Sequence, residues 1–94
     1  MADIIITERQ AGDVTILDLD GKVTIGEGSV ALRGAIRRVL GEGKTKLLLN
    51  LGHVGYIDSS GIGVLIKIVN AVQAQSGTVH LTGIKPMIEK IFKV

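Results

Sequence analysis

Ninety-four residues suffice for one domain and no second, and at 46% hydrophobic and 21% charged the chain can bury a core without metal or disulfide help. There is no cysteine, which excludes a disulfide framework, a thiol nucleophile and a Cys-ligated zinc site. A net charge of +2, with one Tyr and one Phe, leaves little for nucleic-acid binding by charge and base stacking.

The chain opens Met1-Ala2-Asp3-Ile4-Ile5-Ile6, with an acid where a signal peptide carries basic residues. No apolar run reaches the ~18 residues that cross a bilayer. A cytoplasmic protein with no membrane or nucleic-acid partner is expected. Ile4-Ile5-Ile6-Thr7 reads as a strand, because β-branched residues dominate it. Gln10 to Asp13 forms a turn, and Val14 to Asp20 a second, antiparallel strand whose half-buried face is Val14, Ile16 and Leu19. The period then changes. From Ser29 as N-cap, Leu32, Ala35, Ile36, Val39 and Leu40 form one helical stripe, with Arg33, Arg37 and Arg38 off it as a solvated face. Gly41-Glu42-Gly43 stops this helix.

The run Lys46 to Leu51 suits a central strand covered on both faces. A second helix spans about Ser60 to Gln75, with a core stripe of Ile62, Leu65, Ile66, Val69 and Val72. Thr78 to Thr82 is a fourth strand, and Pro86 opens a last helix carrying Met87, Ile88, Ile91 and Phe92. The order β-β-α-β-α-β-α makes one α/β domain over residues 1–94, a mixed, mostly parallel sheet flanked by helices.

Chemistry concentrates in Gly55-Tyr56-Ile57-Asp58-Ser59-Ser60-Gly61-Ile62-Gly63, at the carboxyl end of a central strand and the start of a helix. Functional loops gather at that edge of α/β sheets. A helix start offers unpaired N–H groups and partial positive charge to an oxyanion or phosphate. Asp58-Ser59-Ser60 is equally plain N-capping chemistry, although one cap needs only one such residue. Gly61 and Gly63 leave room for another molecule's backbone.

These residues, with Leu48-Leu49-Asn50-Leu51 before them, resemble the STAS domain of bacterial anti-sigma factor antagonists. The resemblance runs from the opening hairpin through Gly21-Lys22-Val23 to the Lys85-Pro86 helix; family members usually continue a little beyond it, and this chain stops at Val94. It implies a partner switch without catalysis or cofactor of its own. The unmodified protein binds an anti-sigma factor that is also an ATP-dependent serine/threonine kinase, displacing the sigma factor. Phosphorylation at Ser59 releases the kinase, and a PP2C-type phosphatase resets the cycle. Asp58, Ser60, Gly61, Ile62 and Gly63 then belong to the partner-binding surface, with Thr24, Gly26 and Gly28 in a flexible loop beside Ser59. Two other roles suit the same domain: a scaffold in a stress-signalling complex, and a regulatory subunit of a membrane transporter.

Periodicity adds a second apolar stripe on the helix after Ser60, made of Val64, Ile68 and Ala71. Either a neighbouring helix covers it or it extends the docking surface. Other constellations are weaker. Gly26-Glu27-Gly28 lacks the spacing of a dinucleotide or P-loop motif. His53, Asp58 and Ser59 lack a nucleophile elbow, and His53 with His80 has no third metal ligand.

Overall fold

The computed structural model describes residues 4–24 and 26–83. The elements are β1 (Ile4–Ala11), β2 (Val14–Val23), α1 (Glu27–Gly41), β3 (Lys46–Ile57), α2 (Ser59–Ala74) and β4 (Thr78–Thr82). The helix expected from Pro86 lies outside the described residues. The four strands form one sheet in the order β1-β2-β3-β4, antiparallel between β1 and β2 and parallel thereafter, as the element order implied.

Strand order here equals chain order. Two right-handed crossovers that step the same way place both helices on the same face of the sheet. That face carries Leu17 and Leu19 of β2 and Leu47, Leu49 and Leu51 of β3, each at most 1% exposed. On the other face Leu48 and Asn50 are only half-buried, so β3 is central but not covered on both sides by the described residues. Parity in β2 also differs from expectation. Thr15, Leu17 and Leu19 are buried, while Val14 and Ile16 are half-buried on the open face. The register decides this, because Thr15 and Leu17 stand opposite Leu47 and Leu49.

The strand β3 continues six residues past Leu51. Its register against β2 shifts between Asp18 and Asp20 and again between Gly21 and Lys22, each time with one extra residue on β3. These bulges stretch the buried spacing from two residues to three, so that Val54 and Ile57 still point into the core. The glycines in Gly52-His53-Val54-Gly55 disguise this extension as a loop in the sequence.

The α1 stripe is as expected: Leu32, Ile36, Val39 and Leu40 are buried. The start of α1 is not. Gly26 is the N-cap residue and makes no side-chain cap, while Ser29 lies inside the helix, donating from both N–H and Oγ to the Thr24 carbonyl. The helix stops as predicted, with Gly43 at φ 80° and Lys44 N–H returning to the Val39 carbonyl (3.2 Å).

On the open face Arg9 pairs with Asp18, which also accepts from Asn50 Nδ2 at 2.8 Å. The Arg9 guanidinium and that amide hold the Asp18 carboxyl down at about 2. Its contribution is therefore complete above the unfolded value near 4 and is lost as pH falls toward 2. In thermal melts between pH 4 and 2, Asp18→Asn should flatten the decline of melting temperature relative to the parent. An identical slope would contradict the pairing.

Candidate functional site

Parallel pairing sets the carboxyl ends of β2 and β3 side by side, with Val23 opposite Ile57. Both helices therefore begin at one edge of the sheet, and Thr24 and Gly26 share that edge with Asp58 and Ser59. Asp58 is extended (φ −101°, ψ −178°) and caps α2, its Oδ1 accepting the Gly61 N–H at 2.8 Å. Its own N–H donates to the Val23 carbonyl (3.4 Å), and its carbonyl accepts from Ile62 N–H (3.0 Å). One residue thus provides the cap, and the two serines are left over. Ser59 and Ser60 occupy the first two helical positions and both are exposed. The Ser59 hydroxyl makes no hydrogen bond among the described residues.

The glycines divide into two roles. A Cβ on Gly61 would run into the Val23 carbonyl and lie 2.7 Å from Ile57 Cγ1. Gly61 is buried, so it serves the approach of α2 to β2 and not a partner's approach to the site. Gly28 is likewise buried within α1, where a Cβ would sit 2.8 Å from the Lys22 carbonyl oxygen. The expected loop of Gly26 to Gly28 therefore shrinks, leaving Gly26, exposed at the N-cap, beyond the half-buried Thr24. Gly63 is different, with nothing within 4 Å of a Cβ. Gly61→Ala is expected to lower the melting temperature by roughly 4–20 °C through overpacking against backbone. Gly63→Ala should raise it by a few degrees, as alanine does inside a helix. Differential scanning calorimetry of both variants checks the contrast, and equal shifts would refute it.

The apolar residues of α2 divide between core and surface differently from expectation. For the second stripe the sequence leaves open both cover by a neighbouring helix and a docking surface. Val64 and Ile68 are 6% and 3% exposed and belong to the core, which removes them from the docking surface, whereas Ala71 is exposed. From the expected core stripe Leu65 and Val72 are buried, but Ile62 and Val69 are half-buried and Ile66 is 54% exposed. Ser59, Ile62 and Ile66 are spaced i, i+3, i+7, which places them on one face of the helix. The apolar surface beside the exposed serine is therefore this one. Tyr56, at the end of β3, is also 50% exposed. Sequence reasoning missed Ile66 although its spacing from Ser59 was legible.

His53 pairs in register with Asp20, and His80 with Leu48, five positions away along β3. At about 3.3 Å per residue the two histidines stand roughly 16 Å apart, too far to share an ion. No helix of the described residues is long and apolar enough to cross a membrane.

The family model for the STAS domain matches residues 6–94. Among solved structures, the chain is similar to the anti-sigma factor antagonist SpoIIAA in its unphosphorylated form, with a TM-score of 0.78 and 20% identity over 95% of this chain and 82% of that one. The phosphorylated form of SpoIIAA, a Bacillus cell fate determinant, matches with a TM-score of 0.77 and 20% identity, covering 95% and 81%. A putative anti-sigma factor antagonist from Thermotoga maritima, tm1081, reaches 0.85 at 24% identity over 93% of this chain and 74% of that one.

Proposed function

This chain belongs to the STAS-domain family, and on that premise we propose that it is an anti-sigma factor antagonist switched by phosphorylation at Ser59. Unmodified, it binds an anti-sigma factor that is also an ATP-dependent serine/threonine kinase, and the sigma factor is released. The kinase then ends the complex by modifying its own partner. Ser59 Oγ attacks the γ-phosphorus of ATP, the bond to the ADP oxygen breaks, and the hydroxyl proton passes to a base of the kinase. A PP2C-type phosphatase hydrolyses the phosphoserine and restores the binding form. The chain itself performs no catalysis in this cycle, and the cycle runs in the cytoplasm.

The observation that carries the reading is an exposed serine at the first position of α2, with the cap supplied by the residue before it. Because Asp58 already holds the Gly61 N–H, modifying Ser59 leaves the helix start intact. Phosphate adds about −1.5 to −2 charges beside the Asp58 carboxylate. A partner that buries this surface must desolvate that charge, at several kcal/mol. The partner contacts Ser59, Ser60 and Gly63, with Thr24 and Gly26 from the neighbouring connector and the apolar pair Ile62 and Ile66 along the same helix face. Gly61 and Gly28 act from beneath, by holding α2 and α1 close to β2.

The test is incubation with ATP and the anti-sigma kinase of the same genome, followed by fragmentation mass spectrometry of the tryptic peptide that spans residues 47–67. One phosphate on Ser59 is expected. Phosphate on Ser60, or on Thr24 in its separate peptide, would overturn the assignment.

A further inference from the structure

The groove between α1 and α2 takes no part in that reading. Open to solvent along one side, it offers about 600 Å³, within the range of small-molecule sites. Ile36 of α1 and Ile68 and Ala71 of α2 give it an apolar floor, and Arg33, Arg37 and Lys67 stand along it. A smaller recess of about 330 Å³ shares Arg33 and Lys67 and continues toward Ser60 and Gly63.

Cations gather along this groove, whereas elsewhere among the described residues the exposed Lys22 is the only lysine or arginine that lacks an ion pair. Arg9, Arg38, Lys44 and Lys46 are each neutralised by a carboxylate: Asp18, Glu8, Glu8 again and Asp13. Arg33, Arg37 and Lys67 form no ion pair among the described residues, and no described acidic side chain lines either cavity. Arg33 and Arg37 are four residues apart on one helix, a spacing at which like charges repel. Three cations gathered over an apolar floor are complementary to an anionic head attached to an aliphatic body.

We infer that the α1–α2 groove binds a small amphiphilic anion, a phosphate or carboxylate carried on an alkyl chain. The head lies among Arg33, Arg37 and Lys67, and the chain lies on Ile36, Ile68 and Ala71. Size favours this occupant over a partner helix. From Arg33 to Gly41 the α1 wall runs about 12 Å, room for a medium-length alkyl chain but for only about two turns of helix. The inference is independent of the modification at Ser59.

Decyl phosphate, titrated calorimetrically below its micellar concentration, is the probe. Saturable 1:1 binding is expected, with decanol and inorganic phosphate each much weaker. The double variant Arg33→Gln/Arg37→Gln should weaken binding about tenfold or more by removing charge-assisted contacts. Ala71→Trp, which fills the groove from an exposed position, should abolish binding, and both variants should keep the parental melting temperature. Absence of saturable binding, or equal affinity in the parent and both variants, would overturn the inference. So would inorganic phosphate binding as tightly as decyl phosphate. Each of three other results would assign the groove elsewhere and overturn it too: self-association lost in Ala71→Trp, sedimentation with phosphatidylglycerol vesicles in place of monomer binding, or preference for an acidic helical peptide.

Discussion

Ile68→Lys is expected to lower the melting temperature by roughly 15–30 °C or to prevent folding, while Ile66→Lys, two residues earlier, leaves it nearly unchanged. Ile68 is 3% exposed and Ile66 54% exposed. Removing a buried isoleucine costs about 2–5 kcal/mol in packing, and an unpaired buried ammonium adds more. For a domain of this size each kcal/mol moves the midpoint by about 4–8 °C, and total stability is only about 5–15 kcal/mol. An exposed substitution changes stability by no more than ~0.5 kcal/mol. Circular dichroism melts of the two variants decide between the two stripes of α2 before any partner is in hand. Similar melts for both would mean that the helix is rotated from its observed setting. Ile66→Lys should then weaken kinase binding, since it places a charge on the face that carries Ser59.

Ser59→Asp is expected to weaken binding to the kinase about a thousandfold, the equivalent of ~4 kcal/mol, while Ser59→Ala stays within a few-fold of the parent. The introduced carboxylate joins Asp58 at a surface the partner must desolvate. Loss of the hydroxyl alone removes no intramolecular hydrogen bond among the described residues. Misfolding does not confound this comparison, because an acid in the first turn of a helix is stabilising by about 0.3–1 kcal/mol. The Ser59→Asp melt should therefore hold or rise while binding collapses. Calorimetric titration of both variants against the kinase measures the difference. Equal losses would show that the hydroxyl itself is the contact, and the charge-driven release would fall.

Much of this was determined by the sequence alone, because it depends on local chemistry. β-Branched runs, the change of period at Leu32, the glycines after Leu40 and the Asp58-Ser59-Ser60 helix start specify the element order and the strand–helix junction. The mixed sheet and the placement of that junction at its carboxyl edge follow from them by crossover geometry. Three features needed the tertiary structure. The parity of β2 was ambiguous, with apolar residues at Val14, Ile16, Leu17 and Leu19, until pairing with Leu47 and Leu49 selected one face. Gly61 read as an opening for a partner and Gly28 as part of a flexible loop, yet backbone of β2 stands where their side chains would be, and for Gly61 that backbone, at Val23, is distant in sequence. The helix α2 has one charged residue, Lys67, and apolar residues nearly all round. Its periodicity supports two stripes equally, and only the positions of α1 and the sheet choose Val64 and Ile68 for the core and leave Ile66 outside. Periodicity tells how a helix can be buried; the direction from which its neighbours arrive decides which way it is.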